Sequence, residues 1–254
     1  MPRKKLARFA ILGVVFLIIA AVITECDEVP DTGTAKPAPR TAVQPGTGVV
    51  RGRATFNGPR PEPKVVGGEC CPGAAPAVDE SVIVSDDGGL KNVVVYIKDG
   101  PLVRKPPATQ PAAIAVLDQK DCRYVPHVIA MQTGEPLDVT SHDPTMHNVH
   151  VQSVVNPAAN FSETAVGASH QITFAAPEFI RVKCDVHPWM TAYIAVFDHN
   201  CFAVTGDDGR FQIDSLPPGI YTLVARHERY GSLERQFTVT GDQPVNVQFD
   251  FRGP

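Results

Sequence analysis

Phe179-Ile180-Arg181-Val182-Lys183-Cys184-Asp185-Val186-His187-Pro188-Trp189-Met190 carries two patterns end to end. Ile180, Val182 and Cys184 fall at every second position. Side chains alternate across a strand, so these three share one face and Cys184 points into a sandwich at the strand's end. Beyond Cys184 the spacing changes: Cys184, His187 and Met190 are separated by two residues each, Pro188 helps the chain turn, and Ala192 starts a return strand. A short loop between two strands is a stiff mount for a thiolate, an imidazole and a thioether. Soft sulfur donors suit copper, and two histidines, one cysteine and a weak axial methionine form the donor set of blue-copper electron-transfer sites. The loop lacks one histidine. Thr145-Met146-His147-Asn148-Val149-His150 supplies a candidate, with His147 just ahead of the strand-like Val149-His150-Val151.

Other readings of these residues remain open at this level. A cysteine in a strand is most often a buried apolar residue or half a disulfide. Zinc could take His147, Cys184 and His187 with a fourth ligand, although Met190 suits it poorly. A nucleophilic Cys184–His187 pair lacks an evident third residue to orient the histidine. His127 and His142 flank turns or strand ends and read as structural or solvated, and His170, His199 and His227 carry no spacing signal. The chain has no His-x-His pair, so a second copper centre, and with it oxygen or nitrite chemistry, is not expected.

Working outward, the body reads as all-β. Short alternating runs bounded by Gly, Pro and Asp recur: Val49 to Phe56, Val82 to Val84, Val93 to Ile97, Ile114 to Leu117, Val128 to Met131, Leu137 to Thr140, Val149 to Val151, Gln171 to Phe174, Phe179 to Cys184 and Ala192 to Phe197. A second set runs Phe202 to Thr205, Phe211 to Ile213, Tyr221 to Ala225, Gln236 to Val239 and Val245 to Phe251. Many short strands with frequent turns argue for antiparallel sandwiches. The expected division is 48–198 for the metal domain and 199–254 for a smaller β domain. The opening strand Gly48 to Phe56 also suits the smaller module, which would make the metal domain an insertion; the sequence leaves this open.

Two family resemblances sit on these motifs. Asp207-Asp208-Gly209-Arg210-Phe211 followed by Leu216-Pro217-Pro218-Gly219-Ile220-Tyr221-Thr222-Leu223 resembles the Ig-like, transthyretin-like modules called carboxypeptidase regulatory-like domains. Cys184-x-x-His187-Pro188-x-Met190 after Met146-His147-Asn148-Val149-His150 resembles the amicyanin and pseudoazurin branch of the cupredoxins. That likeness covers roughly residues 125–198 and implies a Greek-key sandwich. It implies one type 1 copper held by His147, Cys184, His187 and Met190, with His150 at a non-ligand position, Asn148 bridging the ligand loops and the edge of His187 as the electron port. In layout the chain is similar to exported bacterial proteins described as methylamine-utilisation-like, a label that carries no substrate. Trp189, the sole tryptophan, reads equally as part of a docking rim or as packing in the sandwich end.

The N-terminus sets the expected location. Arg3, Lys4, Lys5 and Arg8 precede an apolar run from Phe9 to Ile23, which with its flanks is about 19 residues, enough to cross a bilayer. The basic flank stays cytoplasmic, so the remainder faces the exterior. Residues 1–25 therefore read as a membrane anchor or signal helix, with a cleaved signal peptide or a lipid-modified Cys26 as rivals. Residues 26–47, with Pro30, Pro37, Pro39 and Pro45, read as a disordered tether. In an exported chain disulfides are permitted, and Cys122 is expected to pair with Cys70 or Cys71. The formal net charge of −4 offers no argument for nucleic-acid binding. The reading is a non-enzymatic carrier with redox protein partners at the membrane surface. A copper storage or delivery module, and a structural cell-surface β protein, are the alternatives.

Overall fold

The computed structural model describes residues 46–68, 70, 75–102 and 114–253. The expected anchor, most of the tether, and Cys26 and Cys71 lie outside the described residues. Among the described residues every regular element is a strand, and no helix is long and apolar enough to cross a membrane.

The strands run β1 Gly48–Asn57, β2 Val94–Asp99, β3 Ala115–Lys120, β4 Arg123–Val125, β5 Val128–Gln132, β6 Pro136–Ser141, β7 His147–Gln152 and β8 Ala159–Glu163. They continue with β9 Ser169–Thr173, β10 Glu178–Lys183, β11 Thr191–Phe197, β12 Phe202–Val204, β13 Arg210–Leu216, β14 Gly219–His227, β15 Gly231–Val239 and β16 Val245–Arg252. A five-stranded sheet β5-β11-β10-β7-β8 and a four-stranded sheet β4-β3-β6-β9 come from the contiguous stretch 115–197. The sheets β13-β1-β16 and β12-β2-β14-β15 use strands from both ends of the described chain.

This differs from the division expected at 198/199. β1 and β2, placed by the sequence reading with the metal domain, pair with the C-terminal strands. β1 lies antiparallel to β13 and parallel to β16, and β2 lies between β12 and β14. The 115–197 sheets are thus inserted between β2 and β12. The reason is burial: Val50, Ala54 and Phe56 share one core with Phe211, Leu216, Leu223 and Phe249, and the strands after 199 cannot close that core without them.

A second core fills the 115–197 sandwich, with Leu117, Tyr124, Val149, Ile180, Val182, Ile194, Cys184 and Met190 among its members. The alternation read in β10 holds: Ile180 and Val182 are buried and Arg181 is exposed. β11 ends buried on both faces because its outer face meets the other sandwich. There Phe197 stacks on Phe202 at 5.1 Å between ring centroids and lies 4.8 Å from Tyr96. The Arg226 guanidinium sits 4.3 Å above the Phe179 ring. The expected strand Val82–Val84 contributes only the isolated bridge Val84–Leu90, because the Ser85–Gly89 turn closes tightly on itself through Ser85. The short strands β4 and β8 had no clear sequence signal.

Candidate metal centre

Antiparallel pairing of β7 with β10, with Val182 opposite Val151 and Lys183 opposite His150, brings the start of β7 beside the loop after β10. His147 and Cys184 arrive at the same end of the sandwich. The loop is closed by its own backbone: the Cys184 amide donates to Met190 O at 3.1 Å and the Met190 amide to His187 O at 2.9 Å. His147 is wholly buried and Cys184 nearly so, Met190 lies in the same core cluster as Cys184, and His187 keeps one partly exposed edge.

The donor atoms converge. His147 Nδ1 and His187 Nδ1 face each other at 3.0 Å, and Cys184 Sγ lies 3.9 Å from His187 Nδ1. These three atoms lie within 4.8 Å of one another. Two peptide N–H groups, of Asn148 and of His187, donate to Cys184 Sγ, each at 3.3 Å. Burial pushes the Cys184 thiol up, but contact with His147 and the donated N–H bonds outweigh it and hold the thiol below its usual range. Burial, followed by the His147 charge, lowers His187. A buried cysteine biased toward thiolate and two imidazole nitrogens aimed at one point suit a soft or borderline metal ion.

Asp143, which the sequence reading did not single out, accepts from His147 Nε2 at 2.8 Å. That bond leaves Nδ1 as the nitrogen free to bind a metal. For His147, burial works to lower the pKa, while bonding to Cys184 and Asp143 raises it on balance. The only available sequence signal was an acidic residue four positions before the histidine. Asn148 bridges the start of β7 and the loop after β10. Its Oδ1 accepts from the Asp185 amide at 3.1 Å, and its Nδ2 donates to Asn160 Oδ1 at 2.6 Å and Phe161 O at 3.1 Å.

The other histidines fall elsewhere. His150 pairs with Asp185 at 3.0 Å, His142 with Asp118 at 2.7 Å, and His127 with Glu228. Trp189 is partly buried, packs on the sandwich core and lies 5.2 Å from the His187 ring. Cys122 is bonded to Cys70; Cys71, the other partner the sequence left open, lies outside the described residues. A second grouping of Cys122, Asp143 and His147 therefore has its sulfur already engaged.

A carboxypeptidase regulatory-like domain is found at residues 188–252. It spans β12 to β16 and also takes in β11, which lies in the five-stranded sheet of the other sandwich. No curated protein matches the chain. Among solved structures, a copper-containing nitrite reductase from Thermus scotoductus SA-01 aligns at 22% identity and TM-score 0.31, over 35% of this chain and 23% of that one. An amicyanin mutant in the Cu(I) state aligns at 18% identity and TM-score 0.31, over 41% of this chain and 98% of that one. A purple cupredoxin from Nitrosopumilus maritimus aligns at 18% identity and TM-score 0.28, over 33% of this chain and 99% of that one. The chain thus spans under a quarter of the nitrite reductase's length.

Proposed function

We propose that this chain is a type 1 copper protein that passes single electrons, and that His147, Cys184, His187 and Met190 would hold the ion. The observation that carries the reading is the convergence of His147 Nδ1, His187 Nδ1 and Cys184 Sγ within 4.8 Å, on a sulfur that accepts two peptide N–H bonds. Bound copper would supply a one-electron couple, Cu(II)/Cu(I). The chain's own residues keep the site rigid. Asp143 orients His147, Asn148 ties Asp185 to the first ligand strand, and two backbone hydrogen bonds close the Cys184–Met190 loop. A site that need not rearrange between oxidation states suits electron transfer. The partly exposed edge of His187 is the natural port for a redox protein partner.

We read the protein as a carrier and not a catalyst. The basic N-terminus and the apolar run from Phe9 to Ile23 favour a location on the outer face of the cytoplasmic membrane, or secretion if that segment is removed. The test is to load the full chain with Cu(II). The expected result is an intense visible thiolate-to-copper band that Cys184→Ser abolishes; a colourless protein holding stoichiometric zinc overturns the reading. Rapid electron self-exchange supports the carrier role, whereas ready transfer of copper to a chelator supports storage or delivery.

A further inference from the structure

Both imidazoles of the centre lead back to one dipeptide. β3 and β4 are joined by Asp121-Cys122 alone, with Lys120 paired to Arg123. The two loop residues have φ of +53° and +54°. A two-residue hairpin turn with both central residues at positive φ is normally built from Asn-Gly or Gly-Gly. Here neither residue is glycine, so something outside the turn must hold it. Two features do. Asp143 Oδ1 accepts the Asp121 amide and Asp143 Oδ2 accepts the Cys122 amide, each at 2.8 Å, and Cys122 is bonded to Cys70 across 52 residues of sequence.

The same turn reaches each histidine by a separate route. Asp143 Oδ2, already engaged by the Cys122 amide, also accepts from His147 Nε2 at 2.8 Å. The Cys122 carbonyl accepts the Trp189 indole N–H at 3.1 Å, and Trp189 lies against His187. Gly67, on the segment that Cys70 anchors, leaves the space that the indole fills; a Cβ there would overlap the ring.

We infer that the Asp121-Cys122 turn, clamped by the Cys70–Cys122 disulfide, is the element that positions both histidines, through Asp143 for His147 and through Trp189 for His187. This rests on the copper reading above. Asp143, Trp189 and the disulfide are positioning residues: Asp143 acts on His147 and Trp189 on His187. Loss of the clamp lets the turn relax out of positive φ, which withdraws the carboxylate from one imidazole and the indole from the other.

The test uses the full chain, copper-loaded, as the parent and as Cys70→Ser/Cys122→Ser, Asp143→Ala, Asp143→Glu, Trp189→Phe and Gly67→Ala. Far-UV circular dichroism first establishes that each variant is folded. Expected for Asp143→Ala and for the disulfide-free variant is a loss of copper affinity of roughly 10-fold or more, with a displaced reduction potential and altered electron paramagnetic resonance of the bound Cu(II). Trp189→Phe and Gly67→Ala should shift the same spectra with the disulfide intact, and Asp143→Glu should recover part of the loss. Folded variants with the parent's affinity, spectra and potential overturn the inference and leave the disulfide purely a stabiliser. Should the disulfide-free variant not fold, the Asp143, Trp189 and Gly67 variants decide. A parent that forms no copper–thiolate band sinks the copper reading itself, an outcome distinct from the one that sinks only the positioning role.

Discussion

The peptide N–H of Asn148 donates to Cys184 Sγ at 3.3 Å, while the side chain of the same Asn148 accepts from the Asp185 amide at 3.1 Å. One residue thus presents a donor to the thiolate and ties down the amide just beyond it. Its Nδ2 is used as well, on Asn160 and Phe161. Asn148→Ala keeps the peptide donor and removes the tie. Leaving buried polar partners unmatched costs about 1–3 kcal/mol, so the unfolding free energy should fall by that order in chemical denaturation. In copper-loaded protein the thiolate-to-copper band should move or weaken without vanishing. Unchanged stability and spectrum would remove Asn148 from the account.

The strand order makes a prediction about fragments. β1 lies between β13 and β16, and β2 between β12 and β14. A fragment of residues 199–254 lacks the central strand of one sheet and an interior strand of the other, and its apolar faces are uncovered. It should show no cooperative thermal or urea transition, whereas residues 46–254 should. A cooperatively folding 199–254 fragment would contradict the pairing of β1 with β16.

Ile180 and Ile194 are opposite each other on β10 and β11, and both are wholly buried. Ile180→Ala should lower the unfolding free energy by about 2–5 kcal/mol, the usual cost of emptying such a site. Val154, 93% exposed, gives the contrast: Val154→Ser should change stability by about 0.5 kcal/mol or less. Denaturant midpoints at constant slope measure both.

Two groups contribute to the acid limb of stability. Burial, partly opposed by Glu228, drops His227 to about 4, below its ordinary value of about 6.5. The unfolded chain then binds more protons than the native one between those values, so stability falls as pH drops from about 6.5 to about 4. A shift of that size corresponds to at most about 3 kcal/mol. For Glu178, burial pushes upward but the donors from Val154, Val155 and Asn156 outweigh it and hold the carboxyl at about 2. Its contribution is present above its unfolded value of about 4.5 and is lost as pH falls toward 2. Denaturation measured from pH 7 to 3 should show a slope between 6.5 and 4 that flattens in His227→Phe and one below 4.5 that flattens in Glu178→Gln.

The strands and the Cys184–His187 loop spacing were legible because each rests on a local pattern. Alternation at Ile180, Val182 and Cys184 identifies a strand face whatever lies beside it, and two-residue spacing in the following loop identifies donors that one turn can gather. β4 and β8 escaped notice because Arg123–Val125 and Ala159–Glu163 are short and mixed in polarity. Asp143 escaped because an acidic residue after a histidine and before a proline looks like any turn. Only its bonds to Asp121, Cys122 and His147 separate it from one.

The sequence by itself determined that the body is all-β, which side chains of β10 face inward, and that Cys184 and His187 share one short loop. Tertiary structure decided that β1 and β2 belong with the C-terminal strands and that one carboxylate connects a hairpin turn to His147. The physical reason is range. Side-chain alternation and loop spacing are set by neighbours in the chain, but a strand with one apolar face is satisfied by any sheet that covers it. The choice among those sheets is made by packing between residues as distant as Val50 and Val245.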